Sequence, residues 1–318
     1  MNTLETGTSN NPSDSEVWSR SWTHLSVNRR SPRYCPVTFD HPPINTITAT
    51  TVAELRDLVR LIEQDPDLNV VVFDSANRDF YLAHYDLEND PGRTEALGLG
   101  PTGLTAWVDV LVRLARVPAV SIASIRGRAR GAGSEFVLAC DLRFASRENT
   151  LLGQWEVGVG VVPGGGAMAR LSPMVGRGRA LEILLVADDL DGPRAQQYGY
   201  VNRLIADDQL GAEVEAIASR LARFDHVAIA RTKSYVDQVT LPDNSELGPP
   251  WNDFFRAVSP PCDTGAGGPA PGARAQHRRR VRTISWEAPS RVASRRLNSG
   301  SEPETKQATP SVWWPGRC

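Results

Sequence analysis

Two glutamates and a run of small residues have the types and spacing to do chemistry. Glu135 follows Gly131-Ala132-Gly133 at the head of an apolar helical stretch, and Glu156 opens the loop after the next strand-like run. Carboxylates so placed can take and give protons as general base and general acid. Gly131, Ala132 and Gly133 let a backbone approach a ligand closely, and the helix that follows would aim its free N–H groups and positive dipole end at that ligand. That describes an anion hole. Each feature also has a plainer reading: acidic residues favour helix N-termini whatever the function, Glu156 suits an ordinary turn, and a Gly/Ala run permits tight helix packing.

Other residues invite the same double reading. His84, in Phe80-Tyr81-Leu82-Ala83-His84-Tyr85-Asp86-Leu87, could hydrogen-bond a substrate or merely line a wall. Asp86 reads as a brace of its loop and Asp141 as structural. Arg126, Arg128 and Arg130 alternate with small residues; they could meet phosphates but read more simply as a solvated loop. Trp155 would narrow a pocket, and Trp251, Phe254 and Phe255 read as core or subunit contact.

The elements that must position these groups follow from the hydrophobic pattern. CPVTFDHPPIN reads as a strand and turn, and Val52, Leu55, Leu58, Val59 and Ile62 recur at helical spacing until Asp65-Pro66 stops them. VVVFDS is continuous and β-branched, as a strand buried on both faces would be. Helix TGLTAWVDVLVRLARVP, strand AVSIASI, loop RGRARGAG, a helix over 134–140 and strand LRFAS come next, then TLLGQWEVGVG, a glycine loop and further helices. Alternating strands and helices argue for an α/β domain. Structure is expected to begin near Tyr34, after a mobile leader over residues 1–33, and to give way after Ser259 to a disordered tail.

In 318 residues, a hydrophobic share of 41% and a charged share of 23% describe a globular chain with a full-sized core. No apolar run is long enough to span a bilayer. Residues 261–318 hold ten Lys/Arg against four Asp/Glu, and the rest of the chain 25 against 33. A basic tail of this kind, around Arg278, Arg279 and Arg280, raises RNA as a partner, though bare arginine runs are common and nucleic acid is not the expected one. Cys35, Cys140, Cys262 and Cys318 form no CxxC pair and keep no ligand spacing with the histidines, so neither a metal site nor a disulfide framework is expected. The N-terminal stretch lacks the marks of a secretory or transit peptide, which leaves the cytoplasm as the default.

Three motifs in fixed order resemble the crotonase, or enoyl-CoA hydratase/isomerase, superfamily. FYLAHYDL is similar to F-x-A-G-x-D-L, and IRGRARGAGSEFVLACDLRFAS to N-G-x-A-x-G-G-G-x-E-L-x-x-x-C-D-x-x-x-A. GQWEVGVGVVPGGGAMARLSPMVGRGRALEILL is similar to G-x-P-E-x-x-x-G-x-x-P-G-x-G-x-x-x-x-L-x-x-x-x-G-x-x-x-A-x-x-x-x-L, and DGPRAQQYGYVNRLI continues the likeness, so that it covers roughly residues 34–225.

The resemblance implies a crotonase-like spiral of ββα units over 34–225, a helical segment over 226–258 and the basic tail over 259–318, assembled as trimers or dimers of trimers. It implies an acyl-CoA substrate and no cofactor beyond the coenzyme A that the substrate carries. Glu135 and Glu156 match the catalytic pair, and the N–H groups of Tyr85 and Ala132 match the oxyanion hole. Leu82, Ala83, His84, Asp86, Gly131, Gly133 and Trp155 then fall at substrate-binding positions. Adding water to a 2-enoyl thioester is the implied reaction; a double-bond isomerase, needing one carboxylate, and a silent acyl-CoA-binding or scaffold protein with His84 and Trp155 closing its pocket are the alternatives. His84 and Ala132 stand where the family usually has glycine, so a positive φ at 84 would be strained. The helical pattern stops near Val258, where the family continues with helices that cover the CoA site, and a truncated cover is expected.

Overall fold

The computed structural model describes residue 18, residues 20–87 and residues 92–258. Most of the leader and the whole of 259–318 lie outside the described residues. Two sheets are visited alternately. The larger runs in the order β1 (Leu25–Val27), β2 (Tyr34–Phe39), β3 (Val70–Ser75), β5 (Val120–Ile125), β7 (Leu142–Ser146) and β10 (Arg203–Ile205), parallel throughout except for β1. The smaller runs β4 (Phe80–Leu82), β6 (Arg128–Arg130), β8 (Leu151–Gly153) and β9 (Leu190–Asp191), with only the last antiparallel.

Each turn of the chain lays a strand in the large sheet, a strand in the small one, and returns by a helix. β3 and β4 lead through α2 (Gly92–Glu95) to α3 (Ala106–Arg116), and β5 and β6 lead to α4 (Ala132–Ala139). β7 and β8 lead through a 3-10 turn over Glu156–Val159 to α5 (Ala167–Val175). This is the expected α/β spiral of ββα units. Helix α1 (Ala49–Gln64) joins β2 to β3, and Thr48 and Thr51 cap it reciprocally, which satisfies backbone donors that a helix start leaves open. Beyond α5 come α6 (Arg177–Leu181), α7 (Gly192–Tyr198), α8 (Leu210–Leu221), α9 (His226–Thr240) and α10 (Asn244–Val258). Among the described residues, no helix is long and apolar enough to cross a membrane.

Helix α4 is fixed by its aromatic contacts. Phe136 meets Phe39 of β2 edge-on at 5.2 Å and Phe73 of β3 at 5.1 Å, so a four-ring cluster completed by Tyr81 ties α4 to the large sheet. The other side of α4 presses on the loop after β4. A Cβ on Gly133 would lie 1.9 Å from the Leu82 carbonyl oxygen and 2.6 Å from that of Ala83.

Two expectations need correction. Order begins before Tyr34: β1 pairs with β2, the Glu54 carboxylate accepts from the His24 N–H at 2.9 Å, and Trp18 is buried beneath the Arg29 guanidinium. A three-residue strand held by distant partners leaves no periodic signal in its own sequence. The arginine run is no solvated loop either, because Arg128–Arg130 forms β6 and Arg126 pairs with Asp207 at 2.7 Å.

The packing of α4 on the β4 loop leaves no room at Gly133. Gly133→Ala is expected to lower stability by about 3 kcal/mol, the cost of overpacking against backbone. Gly178→Ala, in a helix and facing open space, is expected to be neutral or to stabilise by up to about 1 kcal/mol. Urea unfolding of the two variants beside the parent checks both.

Candidate active site

The ends of β4, β6 and β8, the head of α4 and the glycine loop at Gly164 and Gly165 surround one small cavity of about 90 Å³. Trp251 and Phe254 of α10 close it from above, packing edge-on against the Tyr85 ring at 5.7 and 6.2 Å. A Cβ on Gly164 would meet Phe254 at 2.9 Å, so the glycine loop is what lets α10 settle so low. A roof over the cavity is therefore supplied within this chain, while residues 259–318, on which the expected truncation turns, lie outside the described residues. Trp251 and Phe254, read from sequence as core or subunit contact, are that roof.

Glu135 sits in the first turn of α4, only 2% exposed. Its Oε1 accepts from the Gly165 N–H at 2.6 Å, and a Cβ at Gly165 would fall 2.1 Å from its Oε2. Burial raises its pKa, while the Gly165 N–H, the Arg170 guanidinium, the Trp107 indole and the Ala167 N–H oppose that rise. Arg170, itself buried, donates to the Gly165 carbonyl at 2.9 Å and so holds the peptide that holds Glu135.

Glu156 heads the 3-10 turn and is 8% exposed. Burial, and then the negative charge of Glu135, push its pKa up to about 8, against hydrogen bonds from its own N–H and that of Trp155. Gly131, with φ of +51°, lies beside it, and a Cβ there would stand 3.1 Å from Oε1. In the orientation that satisfies both ends of its amide, Gln154 donates to both Glu156 oxygens at 3.1 Å and accepts from Ser134 Oγ at 3.3 Å. Ser134 Oγ is hydrogen-bonded in turn to the Tyr200 hydroxyl. The charge of Glu135 thus adds to burial in favouring the protonated form of Glu156.

Backbone donors complete the lining. Asp86 donates its N–H to the Ile47 carbonyl at 2.9 Å, and Ile47 donates to the His84 carbonyl at 3.1 Å. Alternation along an extended chain then turns the intervening Tyr85 N–H to the opposite side. Ala132 is the first residue of α4, where an N–H has no acceptor within the helix. The loop bearing Tyr85 hangs on Asn45, at φ +53°, which donates to Ser75 Oγ at 2.8 Å and to the Tyr81 carbonyl at 3.1 Å. Asn45 also accepts from the Ala83 N–H at 3.0 Å.

Ala83, His84, Tyr85, Gly131, Ala132, Glu135, Trp155 and Glu156 line the cavity; Leu82, Gly133 and Asp86 do not. Leu82 is core, and the small size of Gly133 serves contact with the Leu82 carbonyl, not with a ligand. Asp86 contributes its N–H to the Ile47 bridge. His84 is not strained: among the described residues only Asn45 and Ala187 are non-glycines with positive φ. Its Nδ1 donates to the Tyr85 carbonyl at 2.9 Å. Sequence reasoning missed Trp107, Arg170 and Asn45, whose types at their positions look like ordinary core, helix and turn residues. Among the described residues, no three His, Cys, Asp or Glu side chains converge as metal ligands would.

Comparison with known proteins agrees with this geometry. The enoyl-CoA hydratase/isomerase family model matches residues 31–247. A crotonyl-CoA hydratase of Syntrophomonas wolfei is 29% identical over 197 residues, 61% of this chain and 74% of its own length. A short-chain-enoyl-CoA hydratase of Clostridium acetobutylicum is 29% identical over 205 residues, 64% of this chain and 77% of its own. A Streptomyces avermitilis protein of known structure superposes with a TM-score of 0.74 at 36% identity, covering 85% of this chain and 93% of that one. With its spiral of ββα units and a family match that runs through both buried glutamates, the chain belongs to the enoyl-CoA hydratase/isomerase family.

Proposed function

We propose that the protein is a hydro-lyase that adds water reversibly across the double bond of a 2-enoyl-CoA. The observation that carries this reading is the burial of Glu135 and Glu156 on one small apolar cavity, beside backbone N–H groups free to face a ligand. The thioester oxygen sits between the N–H groups of Tyr85 and Ala132, which meet the charge that develops as the carbonyl becomes an enolate. Glu135, with most donors around it, keeps the negative charge and takes a proton from water as the water oxygen bonds to C3. Glu156, whose proton burial retains, delivers it to C2. One proton has entered the pair and one has left, so its total is unchanged. Addition of water changes no oxidation state, and the reaction balances without a redox cofactor. The tight roof favours a short acyl group, so crotonyl-CoA heads the substrate panel.

The subunits associate, in this reading, through the outer side of α9. That helix buries none of its residues, exposes Val227, Tyr235, Val236 and Val239, and overhangs a groove of about 640 Å³. Exposed apolar surface of this extent marks an interface. Light scattering on the purified protein is expected to give three times the 34.7 kDa chain mass, or twice that trimer.

Loss of the conjugated-thioester absorbance tests the reaction directly. Glu135→Gln and Glu156→Gln are each expected to lower kcat by about 10² to 10⁴ with nearly unchanged affinity for the 3-hydroxyacyl-CoA product. Activity should fall on the alkaline side as Glu156, near 8, loses its proton. Full turnover in either variant would remove the hydratase reading, and loss in one alone would favour double-bond isomerisation.

The oxyanion hole has its own test. Ala132→Pro removes one N–H at a helical position where proline is otherwise tolerated, and should cost about 3 to 4 kcal/mol of transition-state stabilisation. A variant with unaltered circular dichroism and parental kcat would place the hole elsewhere.

A further inference from the structure

The loop that carries the Tyr85 N–H hangs on a turn, and that turn meets two histidines that the proposed chemistry does not use. His24 and His41 stack face to face, their ring centroids 3.6 Å apart and their planes 12° from parallel. His24 is tied to α1. Its N–H donates to the Glu54 carboxylate at 2.9 Å, and its Nδ1 lies 2.8 Å from Thr51 Oγ1 in the cap of the same helix. His41 is tied to the turn. Its N–H donates to Asn45 Oδ1 at 2.7 Å, and its Nδ1, facing a carbonyl that can only accept, donates to Thr46 at 3.1 Å. Asn45 and Ile47 then bracket Tyr85 through the backbone: the Ala83 N–H donates to Asn45 at 3.0 Å, the Ile47 N–H to His84 at 3.1 Å, and the Asp86 N–H to Ile47 at 2.9 Å.

We propose that His24 and His41 are positioning residues for the oxyanion hole: their stack pins the turn over 41–47 to α1, and the pinned turn aims the Tyr85 N–H. The inference deepens the hydratase reading and rests on it for what that N–H does. The stack depends on charge, because neutral imidazoles pack like other aromatic rings whereas two imidazolium rings at this separation repel. Glu54 of α1 favours a charge on His24, but its carboxylate already accepts the Thr23 and His24 N–H groups. Burial and then His41 outweigh it and lower the pKa of His24. The contact is therefore whole at neutral pH and weakens as pH falls below 6.5, the ordinary histidine value. Ahead of β1, Arg20 pairs with Asp57 of α1 at 2.5 Å. On the loop that reaches the turn through Asn77, Arg78 pairs with Asp207 at 3.5 Å and stands next to Asp79. Asp40 precedes His41, and the Tyr85 loop adds His84, whose Nδ1 is on the Tyr85 carbonyl, and Asp86.

Hydrogen exchange over residues 81–87, read by mass spectrometry, reports the hold of the turn on the loop whether or not the protein turns over substrate. Corrected for the intrinsic effect of pH, exchange of this segment in the parent is expected to quicken about tenfold or more between about pH 8 and about pH 5, while β7 exchanges alike at both. His24→Phe keeps a ring on His41 and carries no charge, so its segment should hold the parent's slow rate throughout. His24→Ala removes the stack and should exchange fast at either pH. In turnover near about pH 8, His24→Ala should lose about tenfold to a hundredfold in kcat with KM little changed, and His24→Phe should recover most of it. Slow exchange near about pH 8 in folded His24→Ala overturns the proposal, as does a parental pH response in His24→Phe. Quickening over β7 as well would mean general loosening in acid and overturns it too. Should His24→Ala not fold, His24→Phe decides alone by its pH response. A parent without hydratase activity whose exchange follows the expected pattern would reject the hydratase reading and keep the positioning role.

Discussion

Two buried carboxyl groups share one small apolar cavity, and nearly every other feature of the site follows from the cost of keeping them there. An unpaired buried carboxylate costs several kcal/mol, so burial alone would neutralise both. The protein separates the pair by supplying donors unequally. Glu135 receives the Gly165 N–H and the company of Arg170 and Trp107, whereas Glu156 has the two N–H groups of its own turn and the Gln154 amide. The difference in surroundings, more than the identity of the side chains, distinguishes one glutamate from the other.

Backbone approach makes this possible. Gly165 admits Glu135, Gly131 admits Glu156, Gly133 admits the β4 loop and Gly164 admits the roof. Four glycines thus bring five segments within contact of a volume hardly larger than a few water molecules. The aromatic cluster of Phe39, Phe73, Tyr81 and Phe136 then sets the depth at which α4 enters, and with it the height of Ala132 and Glu135 above the sheet. Packing far below the cavity is what gives the donors their aim.

Much of this could be read before the fold was known, because it lay in local pattern. The β-branched run at Val70–Phe73, the helical spacing through Ile62 and the ordered motifs around Glu135 and Glu156 each carry their signal within a few residues. What escaped was whatever depends on distant partners. β1 is a strand because β2 and Glu54 make it one, and Arg130 is buried because Asp189 and Trp155 receive it. Asn45 looks like any turn residue until its amide is seen to carry the loop with Tyr85. Gly133 looked like room for a ligand and proved to be room for a carbonyl, since a missing side chain does not say what fills its place.

The roof has a consequence for how the protein comes into being. Trp251 and Phe254 are the last described residues to touch the cavity, whereas β4, β6, β8, α4 and both glutamates are complete by Glu156. Synthesis proceeds from the N-terminus, and elements already released begin to fold while the rest is still being made. The nascent chain therefore carries its acidic pair in an open, wet groove until α10 emerges. Water leaves the site only after the roof has formed, and the two glutamates acquire their electrostatic character later than the walls that hold them.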